Sequence, residues 1–457
     1  MSLIPHTEII EGGALAGGQL PHPYLIETKY EVGRSVPERQ GEKYVAYNKI
    51  PFKSYEYHDI DPNKKLPMNK DKITIENVIL SFLELKNANA SFTPVSSYPM
   101  RYIGAHITDF FNERLRNDTE NYAGISLNNA WKDLEMRKKI YESVYSLRRQ
   151  NLYLRGDYNH KTAEKEVFKK LTDLDIKGAI QNSIFSNNQF KAFTAKVIYT
   201  HFNAKKVLDF SSGWGGRMVA AASMDIDYIG IDPNKDIYKT YGQILDTLKP
   251  YYNSTITTIN AYAEDVDYSK LDYDFVLTSP PYIEPSGKQV EKYRFMKDYS
   301  KNTFYTEFLL PTLYRIMFYL PVGKYLCINT HYSNIEIIQN QLLGKPTQSI
   351  PYKTKERAGG QVRRETYETE RYIEQIYCFK KNANTNNFME RRLRSVGLKI
   401  SSKPPSINVP INVYKGTGEE DNNITREIRR RQREVREMRK SNLIKNKKEN
   451  LFKPTLQ

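Results

Sequence analysis

Cysteine is nearly absent: Cys327 and Cys378 are the only two in 457 residues. That count excludes a disulfide framework and a cysteine-based zinc site. Both lie in apolar, strand-like runs, Tyr325–Ile328 and Ile376–Phe379. They read as small buried hydrophobes in a reducing compartment. The seven histidines form no H-x-x-x-H or similar cluster, so no metal is expected. No apolar run approaches the ~20 residues of a membrane span, and the first 30 residues lack an apolar signal core. The expectation is a soluble, unexported, cytoplasmic protein.

What is abundant is positive charge. The net charge is +16 and the pI about 9.3, which points to a polyanionic partner. The excess is concentrated. Between Arg426 and Lys448 eleven basic residues face three acidic ones, half of the total surplus. Ile424, Ile428, Val435 and Met438 recur there at helical spacing. This is either a nucleic-acid arm that works through phosphate contacts or a solvated tail.

Two motifs carry chemistry. The first is Val207-Leu208-Asp209-Phe210-Ser211-Ser212-Gly213-Trp214-Gly215-Gly216-Arg217: a buried strand ending in an acid, then a glycine turn into a helix from Met218. A second strand, Tyr228–Ile231, ends in Asp232, placed to accept both hydrogen bonds of a ribose diol. Such a unit suits a nucleoside-containing cofactor. It is not a phosphate loop, since no Gly-Lys-Ser/Thr follows, and the third glycine of a dinucleotide fingerprint is missing.

The second motif is Ser279-Pro280-Pro281-Tyr282 at the end of the apolar run Phe275-Val276-Leu277. Two prolines stop a strand because neither has an N–H to donate. The result is a rigid shelf with a polar side chain, an unpaired carbonyl and an aromatic face. A flat, amine-bearing ring fits it: the oxygens accept from the amine, and the tyrosine stacks on the ring. A strand-ending turn with a buried tyrosine is the plainer alternative.

Together the D-x-x-x-G-x-G turn, the acid after the second strand and the Thr278-Ser279-Pro280-Pro281-Tyr282 shelf resemble the S-adenosylmethionine-dependent amino-methyltransferases. The form Gly-Trp-Gly-Gly-Arg looks like a branch of phage and bacterial DNA modification methylases. The resemblance spans roughly residues 188–380. It implies a Rossmann-like α/β fold with a seven-stranded methyltransferase sheet. It also implies S-adenosyl-L-methionine as cofactor, with Asp209, Gly213 and Gly215 around its methionine and ribose parts and Asp232 on the ribose hydroxyls. Asp265 falls near the adenine edge, with Glu264 equally placed by sequence. Phe190 stands where a pre-strand helix packs on the cofactor, or else belongs to an amphipathic core helix. The family's aromatic position is Ser211 here, and Phe210 is the substitute ring. Ser279, Pro280, Pro281 and Tyr282 become the catalytic shelf for a flipped base. No covalent intermediate is needed, so the scarcity of cysteine is no obstacle.

The implied reaction is methylation of an exocyclic amine of a DNA base, with serine in the shelf favouring cytosine N4 over adenine N6. An RNA base methyltransferase and a catalytically silent nucleic-acid-binding protein are the rivals. The expected organisation is an extended arm over 1–70, a helical domain over 71–185 with possible nucleic-acid contacts, a methyltransferase domain over 186–381, and a C-terminal extension over 382–457 with a basic helix or tail. Within the helical domain Thr74 reads as an N-cap, and Ile75, Val78, Ile79, Phe82 and Leu83 trace one face.

Overall fold

A computed structural model describes residues 63–91, 103–120, 124–138, 140, 172–183, 189–281, 297, 299–330, 332–351, 375–403, 409–418, 426 and 430. Residues 1–62 of the expected N-terminal arm, Tyr282 and nearly all of the basic segment lie outside these residues.

Two compact units emerge, one from residues 1–66 and 129–186, the other from 67–128 and 187–457. In the first, the Trp131 indole N–H donates to the Lys64 carbonyl at 2.7 Å, and Lys64 pairs with Asp173, in the helix Asp173–Ser183, at 2.9 Å. The second unit holds an eight-stranded sheet.

The strands are β1 Lys206–Asp209, β2 Asp227–Ile231, β3 Thr255–Ile259, β4 Phe275–Thr278, β5 Tyr325–Thr330, β6 Gln348–Pro351, β7 Gln375–Lys380 and β8 Ile411–Lys415. Their order is β6-β7-β5-β4-β1-β2-β3-β8. The β1–β2, β2–β3, β1–β4 and β4–β5 pairs are parallel, and β7 runs antiparallel to both β5 and β6. This is the expected Rossmann-like methyltransferase sheet with one strand more than the seven expected. The addition is β8, antiparallel to β3 from Thr255↔Lys415 to Ile259↔Ile411. The C-terminal extension therefore holds a helix, Thr385–Ser395, and this strand ahead of its basic segment.

Alternation along the strands feeds two cores, as a period of two requires. Val207, Phe275, Leu277, Ile256 and Ile376 face one side; Leu208, Val276, Leu326, Ile328 and Phe379 face the other. The first side carries α1 (Ile75–Asn87), α2 (Ala105–Asp118), α3 (Ala192–His201), α4 (Gly216–Ser223) and α5 (Lys235–Leu248). The second carries a π-helical segment Phe304–Leu309 that runs into α6 (Leu310–Tyr319). On that side also pack α7 (Tyr332–Ile338) and α8 (Thr385–Ser395).

Thr74 caps α1 through a reciprocal pair with Asn77, as its position suggested. Yet α1 and α2 do not stand apart with the rest of 71–185. Phe82, Leu85 and Ile107 are fully buried in the core shared with α3. The buried Lys196 of α3 donates to the Leu85 and Lys86 carbonyls at 2.6 and 2.8 Å, satisfying the open C-terminal end of α1. The segment 71–185 is thus divided between the two units.

The cysteines correct the sequence reading. Cys327 and Cys378 are directly opposite in the β5–β7 register, with Cα atoms 4.1 Å apart, and are joined as a disulfide. Two cysteines cannot build a framework, but the antiparallel register brings these two into bonding position across 51 residues of sequence. No helix among the described residues is long and apolar enough to cross a membrane.

Candidate functional site

The strand order reverses between β1 and β4: from β1 the chain winds outward through β2 and β3, from β4 through β5. Ligands of open α/β sheets bind outside the carboxyl ends of the strands at such a switch point. The glycine turn leaves β1 there, and the Ser279–Pro281 shelf leaves β4 beside it.

The turn is tightly held. Gly213 and Gly215 have φ of +56° and +84°, values that glycine adopts without a Cβ penalty. A Cβ on Gly213 would meet only the Ser211 carbonyl oxygen, at 3.8 Å, so that side of the turn is open to a ligand. The turn is also clamped from outside, by residues that no local motif marks. Asn112 of α2, fully buried, donates to the Trp214 carbonyl at 3.0 Å and accepts from Thr240 at 2.6 Å. The Tyr241 hydroxyl donates to the Gly213 carbonyl at 2.5 Å.

Asp232, the acid after β2, accepts from the Gly213 N–H and the Asn234 N–H, both at 2.9 Å. Burial raises its carboxyl to about 6, with those two N–H groups opposing the rise. Each oxygen retains a lone pair beyond these bonds. The acid, the open glycine turn and the nearby acidic loop form a donor and acceptor set that fits an adenosine moiety.

Asp209 is placed differently from its expected role. Its carboxylate is wholly buried and committed inside the protein. Arg217 Nε donates to its Oδ2 at 2.6 Å, Arg217 Nη2 to its Oδ1 at 3.3 Å, the Tyr228 hydroxyl to Oδ2 at 2.7 Å and the Ser211 N–H to Oδ1 at 3.2 Å. Asp209 is therefore committed to Arg217, Tyr228 and the backbone of the turn. The Arg217 guanidinium also donates to the Ser211 carbonyl and lies 5.0 Å from the Phe190 ring centre. Phe190 is thus brought to the turn, against Arg217. Phe210 is instead a core residue, edge-on to Phe308 at 6.4 Å. Ser211 contributes backbone.

On the loop after β3, Glu264 and Asp265 are distinguished by what reaches them. Lys297 Nζ lies 2.8 Å from Glu264 Oε1 and 3.5 Å from Asp265 Oδ2, and 4.4 Å from the Tyr262 ring centre. The Tyr299 hydroxyl also donates to Glu264, whose side chain is nearly buried, whereas Asp265 is partly exposed. Tyr299 itself stacks on Phe308 at 5.8 Å. Burial, then the bond to Glu264, pushes the Tyr299 hydroxyl well above its ordinary range. Of the two acids, Asp265 is the more open to a ligand.

At the shelf, Ser279 and Pro281 are partly exposed and Pro280 is buried. Tyr282 lies outside the described residues. Asn329 near the end of β5, 1% exposed, lies beside Ser279: the serine Oγ donates to its Oδ1 at 3.2 Å, and its Nδ2 donates to the Gln375 carbonyl at 3.2 Å. A buried relay continues next to it, with Asn334 donating to Thr330 at 2.9 Å and the Tyr305 hydroxyl donating to Asn334 at 2.7 Å. The only sequence signal for Asn329 was a polar pair, Asn329-Thr330, closing the apolar run of β5.

No protein-family model matches this sequence, and no curated protein matches it. Among solved structures, the chain is similar to an rRNA methylase from Streptococcus thermophilus, with 12% identity and a TM-score of 0.27 over 43% of this chain and 99% of that one. It is similar to TrmN from Thermus thermophilus, with 13% identity and a TM-score of 0.28 over 42% of this chain and 48% of that one. NSun6 from Pyrococcus horikoshii with SFG gives 12% identity and a TM-score of 0.29 over 43% and 53%. The match thus spans about half of the last two chains, and likeness at this level transfers no activity.

Proposed function

We propose that this chain transfers a methyl group from S-adenosyl-L-methionine to the exocyclic amine of a DNA base, cytosine N4 in preference to adenine N6. The observation that carries the reading is the convergence at one switch point of an open glycine turn, a ribose-type acid and a proline shelf. A nucleoside cofactor and a second flat ring can be held side by side there.

When bound, the cofactor supplies an electrophilic methyl on a sulfonium centre. Asp232 accepts from the ribose hydroxyls, and Asp265 from the adenine amine. Ser279 Oγ and the Pro280 carbonyl accept from the target amine. Those two bonds favour a pyramidal nitrogen with a localised lone pair, which a delocalised base amine otherwise lacks. Holding that nitrogen at near-attack distance provides the main acceleration. The nitrogen would gain one N–C bond as the sulfonium S–CH3 bond breaks, with the thioether S-adenosylhomocysteine as leaving group, and would then release one proton to solvent. Tyr282 is the stacking face for the extruded base. The net charge of +16 serves attraction to the phosphate backbone.

Radiolabelled methyl transfer to DNA and to RNA, followed by nucleoside digestion, tests the reading. Label in N4-methylcytosine or N6-methyladenine from DNA is the expected result. Label confined to RNA moves the substrate to the rival polymer. No transfer to either, with no cofactor binding by calorimetry, overturns the proposal.

A further inference from the structure

Arg217 has a guanidinium 4% exposed, at the first turn of α4 and at the mouth of the switch point. Its burial asks for a reason. A buried ion pair returns little stability, because the desolvation of both charges offsets their attraction. Neutralising Asp209 alone is therefore a weak account of why a long cationic side chain is held here.

The geometry is that of a pre-oriented receptor. Nε and Nη2 both point inward, to the two Asp209 oxygens and the Ser211 carbonyl. The Phe190 ring lies 5.0 Å from the guanidinium carbon. Asp209 is itself fixed by Tyr228, whose hydroxyl is within 2.8 Å of Ser212 Oγ in the same glycine turn. The remaining nitrogen, Nη1, makes none of these bonds, and it is not among the buried polar atoms left without a partner, so it is the edge that reaches solvent. With the Nε hydrogen and both Nη2 hydrogens committed, Nη1 keeps its two N–H groups for an anion, and a charge-assisted bond from arginine suits a carboxylate.

We propose that Arg217 receives the α-carboxylate at the amino-acid end of the cofactor, with Asp209, Ser211 and Phe190 holding the guanidinium in place. The inference rests on the cofactor reading above and adds the group that anchors the end of the cofactor remote from Asp232. The buried Asp209 is then a positioning residue, orienting the arginine that meets the ligand.

Calorimetric binding of two ligands tests it without turnover. One is S-adenosylhomocysteine. The other is 5′-S-(3-aminopropyl)-5′-thioadenosine, which keeps the adenosine, thioether and amine and lacks only the carboxylate. The wild-type protein should bind the first at least about tenfold more tightly, as for a hydrogen bond between charged groups. Arg217→Lys keeps a cation beside Asp209. It should narrow the ratio to within about threefold by weakening the first ligand alone, since a shorter ammonium drawn to Asp209 no longer places a donor where Nη1 stood. Equal wild-type affinity for the two ligands overturns the inference while leaving the cofactor reading intact, and needs no variant to fold. An unchanged ratio in a folded Arg217→Lys protein also overturns it. Wild-type protein that binds neither ligand removes the cofactor reading itself, and this inference with it.

Discussion

The Ser279 hydroxyl gives its proton to Asn329 Oδ1, and that direction decides what the shelf offers a ligand. Asn329 is oriented by its own bond to the Gln375 carbonyl, so its oxygen, an acceptor only, faces the serine. With its single proton committed, Ser279 Oγ meets any further polar partner as an acceptor. A partner must bring an N–H or O–H, which an amine does and a carbonyl does not.

Ser279→Ala should therefore leave cofactor affinity unchanged and lower the methyl-transfer rate by about three- to tenfold, the worth of one neutral hydrogen bond of ~0.5–1.5 kcal/mol. Asn329→Ala should lower the rate through the freed serine rotor. It should also lower stability by about 1–3 kcal/mol, because the Gln375 carbonyl loses its partner at a nearly buried site. Single-turnover kinetics and denaturant titration separate the two effects. An Asn329→Ala protein that is destabilised yet transfers at the wild-type rate would remove Asn329 from the shelf.

Asp232 sets a pH dependence. Its carboxyl is raised to about 6 by burial, so the ionised acceptor is present above that pH and lost below it. Cofactor affinity measured by calorimetry should be flat near pH 7.5 and fall as pH drops through 6. Asp232→Ala should cost about 1.5–3 kcal/mol of binding at neutral pH and flatten the profile. For the unliganded fold the sign is opposite. A folded pKa above the ordinary value of about 4 means that stability declines as pH rises between the two values. Affinity that holds constant from pH 7.5 to 5 would place the ribose contact elsewhere.

Two truncations distinguish the C-terminal pieces. Deleting residues after Asn423 removes the basic segment and leaves β8 in place. Nucleic-acid binding should weaken, and its log–log salt slope should flatten by about 0.9 for each phosphate no longer neutralised on B-DNA. Cofactor affinity and melting temperature should stay as they were. Deleting from residue 382 also removes α8 and β8, uncovering the β3 edge and taking the buried Met389 and Leu393 out of the second core. That protein should melt lower or fail to remain soluble. A salt slope unchanged in the shorter deletion would assign the basic segment to solvation.

The cysteine pair can be checked chemically. Alkylation of denatured, unreduced protein should add no mass, and two adducts should appear only after reduction. Two adducts before reduction would return both residues to the role of plain apolar core.

β1, β2 and β4 were legible because each is an apolar run closed by an acid, a glycine turn or a proline. Asp232 and the start of α1 at Thr74 followed from the same punctuation. Other features depend on partners distant in sequence. Arg217 reads as an ordinary residue of a helical first turn until Asp209 and Phe190 surround it. Asn112 reads as the polar face of a separate helix until Trp214 meets it. The pairing of Cys327 with Cys378 depends on an antiparallel register that composition does not encode. β8 was missed for a different reason: Ile411 and Val413 are more than half exposed, so its alternation is that of an edge strand with little buried face.

That edge strand also sets the order in which the protein can be made. β3 and β8 are separated by roughly 150 residues, so a ribosome at typical speed leaves the outer edge of β3 bare for on the order of ten seconds or more. During that time β3 presents a row of open N–H and C=O groups to any neighbouring chain. Among the described strands the last to be synthesised is thus the closing piece for a sheet whose other strands are already made. A message broken or a ribosome stalled before Ile411 would release an adhesive product rather than a merely shortened one.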